Sequence, residues 1–521
     1  MKTFFKKIKD LTLRCLVAIK KFFTKGNITA FDIVLYSALL LFIVLCLIGA
    51  DVLMALITIV FYFLGALSLR KGKSNIFFFF FIVSFFIFIV SGDLLEPIVD
   101  EYYYVYFSKN ANLHAHICVL LSAISIFIAY VVSPSWVLTK IKPLQDKRFL
   151  NEGDLNATLI AGYDKNEKNS HVSYIRLVSF ILFTIAYAIL MMNSIYKNYF
   201  VSKYGYVETY LSYKPLLPSI ISEFGEMAFV LLLVFLATMP TRKQCIFPLL
   251  AWFIYAVTTL FAGARGPLIY NTVLIVAYVI YRNNHFSYGK VWLSKKIIII
   301  FLILVPFLLG FLKMFEYLRS GYGMPDESFI DMFVRFFIDI GASSKVIKYG
   351  YVYRNAIAEN FRFFSLGEVI NYYKYNPIFF WSKNSIEVHS LEYALEGHSF
   401  PHYVSYLVDP NSFVTGHGVG GAFVAILFAD LGYFGVILGS FIYGFFFKQW
   451  LSFDKLNWVG KTMLMYSSYE LLIAPRGSYD SFIAILLNLK FILIILAVWV
   501  CALLVKKFIN RKSKEKTNEI Q

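Results

Sequence analysis

Three arginines stand in short turns beside apolar segments, each next to a glycine or a serine: Arg265, Arg319 and Arg476. Because a guanidinium group is planar and carries fixed N–H donors, it suits bidentate binding of a phosphate group. A neighbouring glycine lets the backbone approach such a ligand closely. If the three turns meet, these side chains would form a cationic pocket for a phosphate or pyrophosphate group. The alternative for Arg265 is an interfacial anchor that contacts lipid headgroups.

Groups able to transfer a proton follow later in the chain: Glu396, His398 and His417. A carboxylate or an imidazole can accept the proton of a hydroxyl group. The alternative is that Glu396 and His398 are solvated loop residues. The sequence has no metal ligands at zinc-like spacing and no Asp-rich cluster, so it predicts no metal site and no cofactor. Its five cysteines lie in apolar segments or near predicted cytoplasmic ends, which predicts no disulfide framework.

The composition requires that most of the chain lies in lipid. Hydrophobic residues make up 59% of the 521 positions and charged residues only 16%, whereas soluble domains carry about 25% charged residues. A helix needs about 20 apolar residues to cross a bilayer. The sequence therefore predicts an all-α polytopic membrane protein with about 12 transmembrane helices, at residues 31–49, 52–69, 76–92, 115–133, 177–193, 219–239, 246–263, 267–281, 297–313, 433–449, 460–474 and 479–505.

The distribution of positive charge sets the predicted orientation. With a cytoplasmic N-terminus, 33 of the 49 Lys and Arg residues fall in segments on the cytoplasmic side, as the positive-inside rule requires. Both termini are then cytoplasmic. This orientation explains the formal net charge of +17, so the charge does not predict a nucleic-acid partner.

The orientation divides the chain into five segments, one of which is a long outer loop. Residues 314–418 are rich in Tyr, Phe and Ile, so we expect a functional extracytoplasmic loop that carries short helices. Near-helical spacing predicts an amphipathic helix from Asp326 to Lys348 on the outer membrane surface. The full division is an amphipathic basic helix on the inner leaflet at 1–25, transmembrane helices 1–9 at 26–313, the outer loop at 314–418, transmembrane helices 10–12 at 419–505 and a basic cytoplasmic tail at 506–521.

Charged residues at predicted membrane depth allow a different interpretation. Glu223, Glu226, Glu470 and Lys490 lie within apolar spans, where a charge is costly unless it is paired or lines a pathway. They would suit an ion relay in a transporter, and a buried structural pair is the other explanation. A carrier would favour inverted repeats and a charged midplane cavity. No repeat is evident in the sequence, and the strongest charges lie at the outer ends of the spans.

Short motifs recur beside the candidate residues: Ala-Gly-Ala-Arg-Gly at 262–266 before an apolar span, Gly-Val-Gly-Gly at 418–421 leading through Leu-Gly-Tyr-Phe-Gly-Val at 431–436 into a span, and Arg-Gly at 476–477. With the single large outer loop, this pattern resembles the bacterial O-antigen and capsular polysaccharide polymerases, the Wzy-type oligosaccharide repeat-unit polymerases. The similarity covers most of the chain in architecture. Members often carry a Glu in the helix before the Gly-x-x-Gly step, where this chain has Ile426, with Asp430 a turn later.

The resemblance implies a metal-independent inverting glycosyltransferase at the outer leaflet of a bacterial inner or plasma membrane. Such an enzyme moves a growing glycan from undecaprenyl pyrophosphate onto the non-reducing end of a new lipid-linked repeat unit. Arginines would stabilise the pyrophosphate leaving group in place of a metal. On this hypothesis Arg265, Arg319 and Arg476 bind pyrophosphate, and Glu396, His398 or His417 transfers the proton.

The resemblance also implies partners and leaves two alternatives open. The expected partners are undecaprenyl-pyrophosphate-linked oligosaccharides and the lipid bilayer, with a chain-length regulator and a flippase as further candidates. One alternative is an O-antigen-ligase-like glycosyltransferase, which transfers finished glycan to a terminal acceptor. The other is a flippase or transporter of lipid-linked oligosaccharide, which forms no bond.

Overall fold

The computed structural model describes residues 30–47, 51–70, 75–96, 107–135, most of 171–285, scattered positions between 292 and 314, 329–376 and 390–520. This part of the chain is helical and contains no strand. The predicted N-terminal helix at 1–25 lies outside the described residues, as does most of the predicted span at 297–313. The first eight helices are α1 Ala30–Leu47, α2 Val52–Ser68, α3 Ile76–Leu95, α4 Lys109–Val132, α5 His171–Tyr204, α6 Ser219–Ala237, α7 Arg242–Phe261 and α8 Arg265–His285.

Short helices occupy the region predicted as the outer loop, and long apolar helices follow it. The loop helices are α9 Phe329–Ile340, α10 Ser343–Val352, α11 Arg354–Glu359, α12 Gly367–Tyr375, α13 Leu391–Glu396, α14 Phe400–Val408 and α15 Pro410–Val414. The last four are α16 Phe423–Lys448, α17 Trp458–Ile473, α18 Ser481–Leu487 and α19 Leu489–Ile520. We call the end of the bundle where α9–α15 pack the loop end.

Seven helical segments in the described part are long and apolar enough to cross a membrane. They are Ile76–Leu95, Lys109–Val132, His171–Tyr204, Ser219–Ala237, Arg242–Phe261, Phe423–Lys455 and Leu489–Ile509. The apolar helices Ile33–Leu47 and Val52–Ser68 are shorter. Multi-pass membrane character is therefore confirmed, and the count of twelve stays a prediction. The predicted span 479–505 is divided at Asn488, where ψ of 129° ends α18 before α19 begins.

The close packing of α4 against α16 depends on small residues. The Ser440 hydroxyl donates a 2.7 Å hydrogen bond to the Ser122 hydroxyl. A Cβ atom on Gly444 would lie 2.4 Å from the Ile126 carbonyl oxygen, so the two backbones touch. Small residues of this kind allow helices to approach closely in a membrane, where apolar surface alone gives little drive to associate.

Helix α16 is a hairpin of two arms. Leu431 has φ −133° and ψ 18°, and Gly432 has φ 61°, so the helix breaks at these residues. The rings of Phe423 and Tyr443 lie 4.9 Å apart, although an unbroken helix would separate these residues by about 30 Å. The second arm begins where the sequence predicts a span from 433, and the first arm, 423–430, folds back onto it.

The predicted amphipathic helix from 326 to 348 is divided into α9 and α10. The break falls at Gly341, where an added Cβ would lie 2.2 Å from the backbone nitrogen of Gly92. The two glycines let the connection between α9 and α10 rest directly on α3. The Ser91 hydroxyl also donates a 2.9 Å hydrogen bond to the Phe337 carbonyl. Helix α9 thus packs on the bundle through these contacts.

A buried ion pair fixes α10 to α3. The carboxylate of Asp93 accepts hydrogen bonds from Lys348 Nζ at 2.8 Å and from the Ser344 hydroxyl at 2.7 Å. Its other oxygen lies 3.3 Å from His116 Nε2. The side chains of Asp93 and Lys348 are each only 6% exposed. The loop region is therefore held on the bundle by a fully partnered carboxylate.

Two of the charged residues at predicted membrane depth are partners. Lys490 at the start of α19 forms an ion pair with Glu223 on α6, and nearly half of each side chain is exposed. The pair joins two helices that are distant in sequence.

Candidate active site

A narrow cleft lies at the loop end of the bundle. Its polar side chains can bind hydroxyl groups and accept a proton. It is lined by Phe364, Gly367, Glu368, Asn371, His398, Ser399, Phe400, Pro401, Ile426 and Ser478.

Glu368 stands in the first turn of α12 and reaches across to the turn after α17. The Ser478 hydroxyl donates a 2.7 Å hydrogen bond to Glu368 Oε1. The carboxylate is exposed at the mouth of the cleft. It keeps further acceptor capacity, because an ionised carboxylate has about four lone-pair sites.

Two buried or partly buried carboxylates position the start of α12. Asp430, at the end of the first arm of α16, accepts hydrogen bonds from the backbone N–H groups of Phe364 and Ser365 at 2.9 and 2.7 Å. Asp480 accepts from the Val369 N–H at 3.0 Å. The first N–H groups of a helix have no partner within the helix, and these side chains supply one. The segment that carries Glu368 is therefore fixed from two sides.

His398 is held beside α12 by its backbone and its ring. Its N–H donates a 2.9 Å hydrogen bond to Asn371 Oδ1, and its Nδ1 bonds to the Arg362 carbonyl oxygen. A carbonyl only accepts, so Nδ1 carries the proton and Nε2 is the acceptor nitrogen of the neutral ring. Burial lowers the pKa of His398, more than the bond to the Arg362 carbonyl raises it. The ring is therefore neutral at neutral pH and can accept a proton.

Two of the sequence motifs meet beside the cleft. A Cβ on Gly421 would lie 3.0 Å from the Gly477 carbonyl oxygen and 3.2 Å from that of Arg476. The Gly-Val-Gly-Gly loop thus lies directly on the Arg-Gly turn. Only a glycine allows this approach without displacing the turn.

Arg476 and Arg265 lie over aromatic rings near the π-helical segment Phe86–Val90 of α3. The Arg476 guanidinium carbon is 5.9 Å from the centre of the Phe88 ring. That ring is 6.1 Å from the ring of Tyr270, which follows Arg265 on α8. Arg265 itself is 6.0 Å from the Phe336 ring of α9. Both cations therefore lie at the loop end. Each guanidinium is attracted to the face of its aromatic ring. The neighbouring π-helical segment is of a kind that is frequent at functional sites.

A family model described as O-antigen polysaccharide polymerase Wzy matches residues 30–508. The chain belongs to this family. Comparison with curated proteins and with solved structures gave no match.

Membership of the Wzy family confirms the resemblance seen in the motifs. The chain is a polymerase of the glycosyltransferase type that acts in polysaccharide biosynthesis. The family acts on lipid-linked oligosaccharide repeat units in the membrane. With its apolar helices, this makes the chain a multi-pass protein of the inner membrane.

The structure brings some of the predicted site residues of this Wzy-family chain together. His398 lines the cleft, and Arg476 is two residues from Ser478, which also lines it. Arg265 lies over the Phe336 ring, and Tyr270 of the same helix lies near Phe88, the ring beneath Arg476. Arg319 lies outside the described residues.

The other two predicted proton-transfer residues are not among those that line the cleft. Glu396 is exposed at the end of α13, and its carbonyl accepts hydrogen bonds from Lys374 and Tyr375 at 3.3 and 3.1 Å. His417 is exposed, and its Nδ1 lies 3.2 Å from the Thr415 hydroxyl.

Sequence reasoning missed Glu368. The available signal was Ser-Leu-Gly-Glu at 365–368, a Ser-x-x-Glu pattern that predicts the start of a helix. The pattern indicates where Glu368 lies on a helix and says nothing of the distant serine that it meets. Asp430, noted near the place where relatives carry a Glu, holds the loop before α12.

Proposed function

We propose that this chain joins lipid-linked repeat units at the outer leaflet, with undecaprenyl pyrophosphate as the leaving group. The large loop 314–418 would face outside and both termini the cytoplasm. The observation that carries the proposal is the turn 476–478, in which one backbone segment presents Arg476 beside Phe88 and ties Ser478 to Glu368 in the cleft. A cation for a phosphate group and acceptors for a hydroxyl group are thereby held side by side.

The arginines stabilise the negative charge that develops during the reaction. When the bond between the anomeric carbon and the pyrophosphate oxygen breaks, negative charge develops on that oxygen. Arg265 and Arg476 stabilise this charge without a metal, because fixed donors need no reorganisation as the charge forms. Arg319 is proposed as a third contact from its sequence position.

His398 acts as the general base. The acceptor hydroxyl oxygen attacks the anomeric carbon from the face opposite the pyrophosphate, and His398 Nε2 takes the hydroxyl proton. This single displacement inverts the anomeric centre. Glu368 accepts a hydrogen bond from the acceptor sugar and orients it. Glu396 and His417 are the less favoured bases, because they lie outside the cleft lining.

Purified protein supplied with lipid-linked repeat units tests the proposal. Wild-type protein should produce a ladder of longer lipid-linked products. Arg265→Ala and Arg476→Ala should lower the rate about a hundredfold, as the loss of one charge-stabilising donor does in other enzymes. The lysine variants should recover only part of this loss, since bidentate contact needs the guanidinium plane.

The matched control is Arg354→Ala, an exposed arginine of the loop region whose ring contact is with Tyr351. It should give a normal ladder. A normal ladder from Arg265→Ala and Arg476→Ala, in protein that inserts as wild type, would remove both from the mechanism. Transfer of glycan to a terminal acceptor alone would indicate a ligase. Movement of the lipid-linked oligosaccharide across the membrane without bond formation would indicate a flippase.

A further inference from the structure

Phe363 has an unusual backbone conformation. Its φ is 47° and its ψ 61°, in the left-handed region. Within the described part of the chain, the other non-glycine residue with a positive φ is Met239. A bulky side chain is strained in this region, and such strain persists where the surroundings impose it.

The surroundings of Phe363 impose it from both sides. After it, the N–H groups of Phe364 and Ser365 are fixed by the Asp430 carboxylate. Before it, the Arg362 side chain donates hydrogen bonds of 2.9 and 3.0 Å to the carbonyls of Ala394 and Gly397. The strained residue is therefore held rigidly between two anchored segments.

The strain places an aromatic ring outward. The side chain of Phe363 is 54% exposed and that of Phe361 44%. Their rings are 4.7 Å apart at 69°, an edge-to-face pair. Phe364, whose N–H the Asp430 carboxylate binds, is buried and only 2% exposed. A loop that only had to close the fold would have no need of a strained residue with an exposed ring.

We propose that Phe361 and Phe363 form a stacking surface for a sugar ring of the lipid-linked oligosaccharide. This proposal rests on the proposed function and names a binding surface for its substrate. The surface adjoins the cleft directly, because the Arg362 carbonyl between the two rings holds His398, and Phe364 lines the cleft. The apolar C–H face of a pyranose packs on an aromatic face, and the hydroxyl groups at its edge remain free for the polar cleft.

A rigid ring pair favours a sugar over the competing occupant, the lipid surface. Insertion into lipid needs apolar area of any shape, which a leucine provides as well as a phenylalanine. Stacking on a sugar needs the flat face of a ring. Leucine and tyrosine variants therefore separate the two occupants.

The experiment compares KM and kcat for lipid-linked repeat units in purified Phe363→Leu, Phe363→Tyr and Phe363→Gly. We expect KM to rise about tenfold for the leucine and glycine variants, with kcat little changed, and the tyrosine variant to match wild type. Phe363→Gly is the safe variant for folding, because glycine adopts a φ of 47° without strain. Val352→Ser, which changes another exposed apolar residue of the loop region, should leave both constants unchanged.

Wild-type KM in both Phe363→Leu and Phe363→Gly would overturn the proposal. Wild-type KM in Phe363→Leu together with a raised KM in Phe363→Gly would assign the surface to lipid. If the wild-type protein itself failed to lengthen the lipid-linked products, the proposed function would fail. If the wild-type protein lengthened the products and the Phe363 variants had wild-type KM, only the stacking surface would fail.

Discussion

The Ser478 hydroxyl and the Glu368 carboxylate, 110 residues apart in sequence, are joined by a 2.7 Å hydrogen bond. The bond connects the turn after α17 to the first turn of α12. Because Arg476 belongs to the same turn, any movement of this turn shifts both the Arg476 guanidinium and the Glu368 carboxylate. The contact therefore connects the turn that carries Arg476 to the carboxylate at the mouth of the cleft.

We expect Glu368→Gln to lower polymerisation about tenfold or more, because a neutral amide is a weaker hydrogen-bond acceptor than a carboxylate. Ser478→Ala should lower it less, since the carboxylate remains. The rate of product elongation with purified protein measures both. The control is Glu359→Gln, an exposed glutamate at the end of α11, which should behave as wild type. Equal rates for Glu368→Gln and the control would separate Glu368 from the reaction.

A methyl group on Gly367 should disable the cleft. Its Cβ would lie 1.9 Å from the His398 carbonyl oxygen, so either α12 or the segment carrying His398 must move. We predict that Gly367→Ala lowers kcat by at least tenfold, because small misplacements of a catalytic group are costly. Gly65→Ala is the control, since its nearest neighbour atom is 3.9 Å away. Wild-type kcat in Gly367→Ala would show that His398 need not stay where the structure places it.

The pH dependence of the reaction should report on His398. Burial holds the pKa of His398 below its ordinary value, which is about 6.5. The proposed base is the neutral ring, so the rate should stay level from neutral pH through about 6.5 and fall only in more acidic solution. In the unfolded chain the ring takes up its proton at the higher, ordinary pKa. Stability should therefore decrease as the pH falls below about 6.5.

The measurement is the rate against pH for wild type and His398→Gln. The variant should be about a hundredfold slower and should lack the acidic limb that belongs to this ring. An acidic limb of the same shape and position in His398→Gln would assign the limb to another group.

The buried pair Asp93–Lys348 should contribute to stability in an asymmetric way. Asp93→Ala leaves the Lys348 ammonium buried without its carboxylate and should cost about 3–5 kcal/mol. The double variant Asp93→Leu with Lys348→Met should recover much of this loss, because two apolar side chains of similar size leave no charge unpaired. Thermal unfolding of purified protein in detergent measures both. A double variant as unstable as Asp93→Ala would contradict the pairing.

The sequence by itself determined the membrane character, the positions of most long helices and the family. These properties are local. A long run of apolar residues must be covered by lipid wherever it lies in the chain, and a short motif is recognised from a few consecutive residues. The start of the second arm of α16 near residue 433 and the Arg-Gly turn at 476–477 were predictable for this reason.

Only the tertiary structure decided which groups share the cleft. Among Glu396, His398 and His417, sequence spacing gives no preference, and the contact of His398 with the Arg362 carbonyl and Asn371 distinguishes it. Glu368 was not predictable as a site residue, because its partner Ser478 is distant in the chain. The fold-back of α16 was also hidden, since a span predicted from 433 does not say how residues 423–430 pack against it.

The same reason applies to Phe363. Nothing in its type or spacing indicates a left-handed backbone, which the Asp430 carboxylate imposes from another helix. Local patterns record the solvent that each segment needs, whereas the distances between side chains depend on how the helices pack. The kind of protein was therefore readable from the chain, and the arrangement of its candidate catalytic groups was set by the packing of α12, α16 and the 476–478 turn.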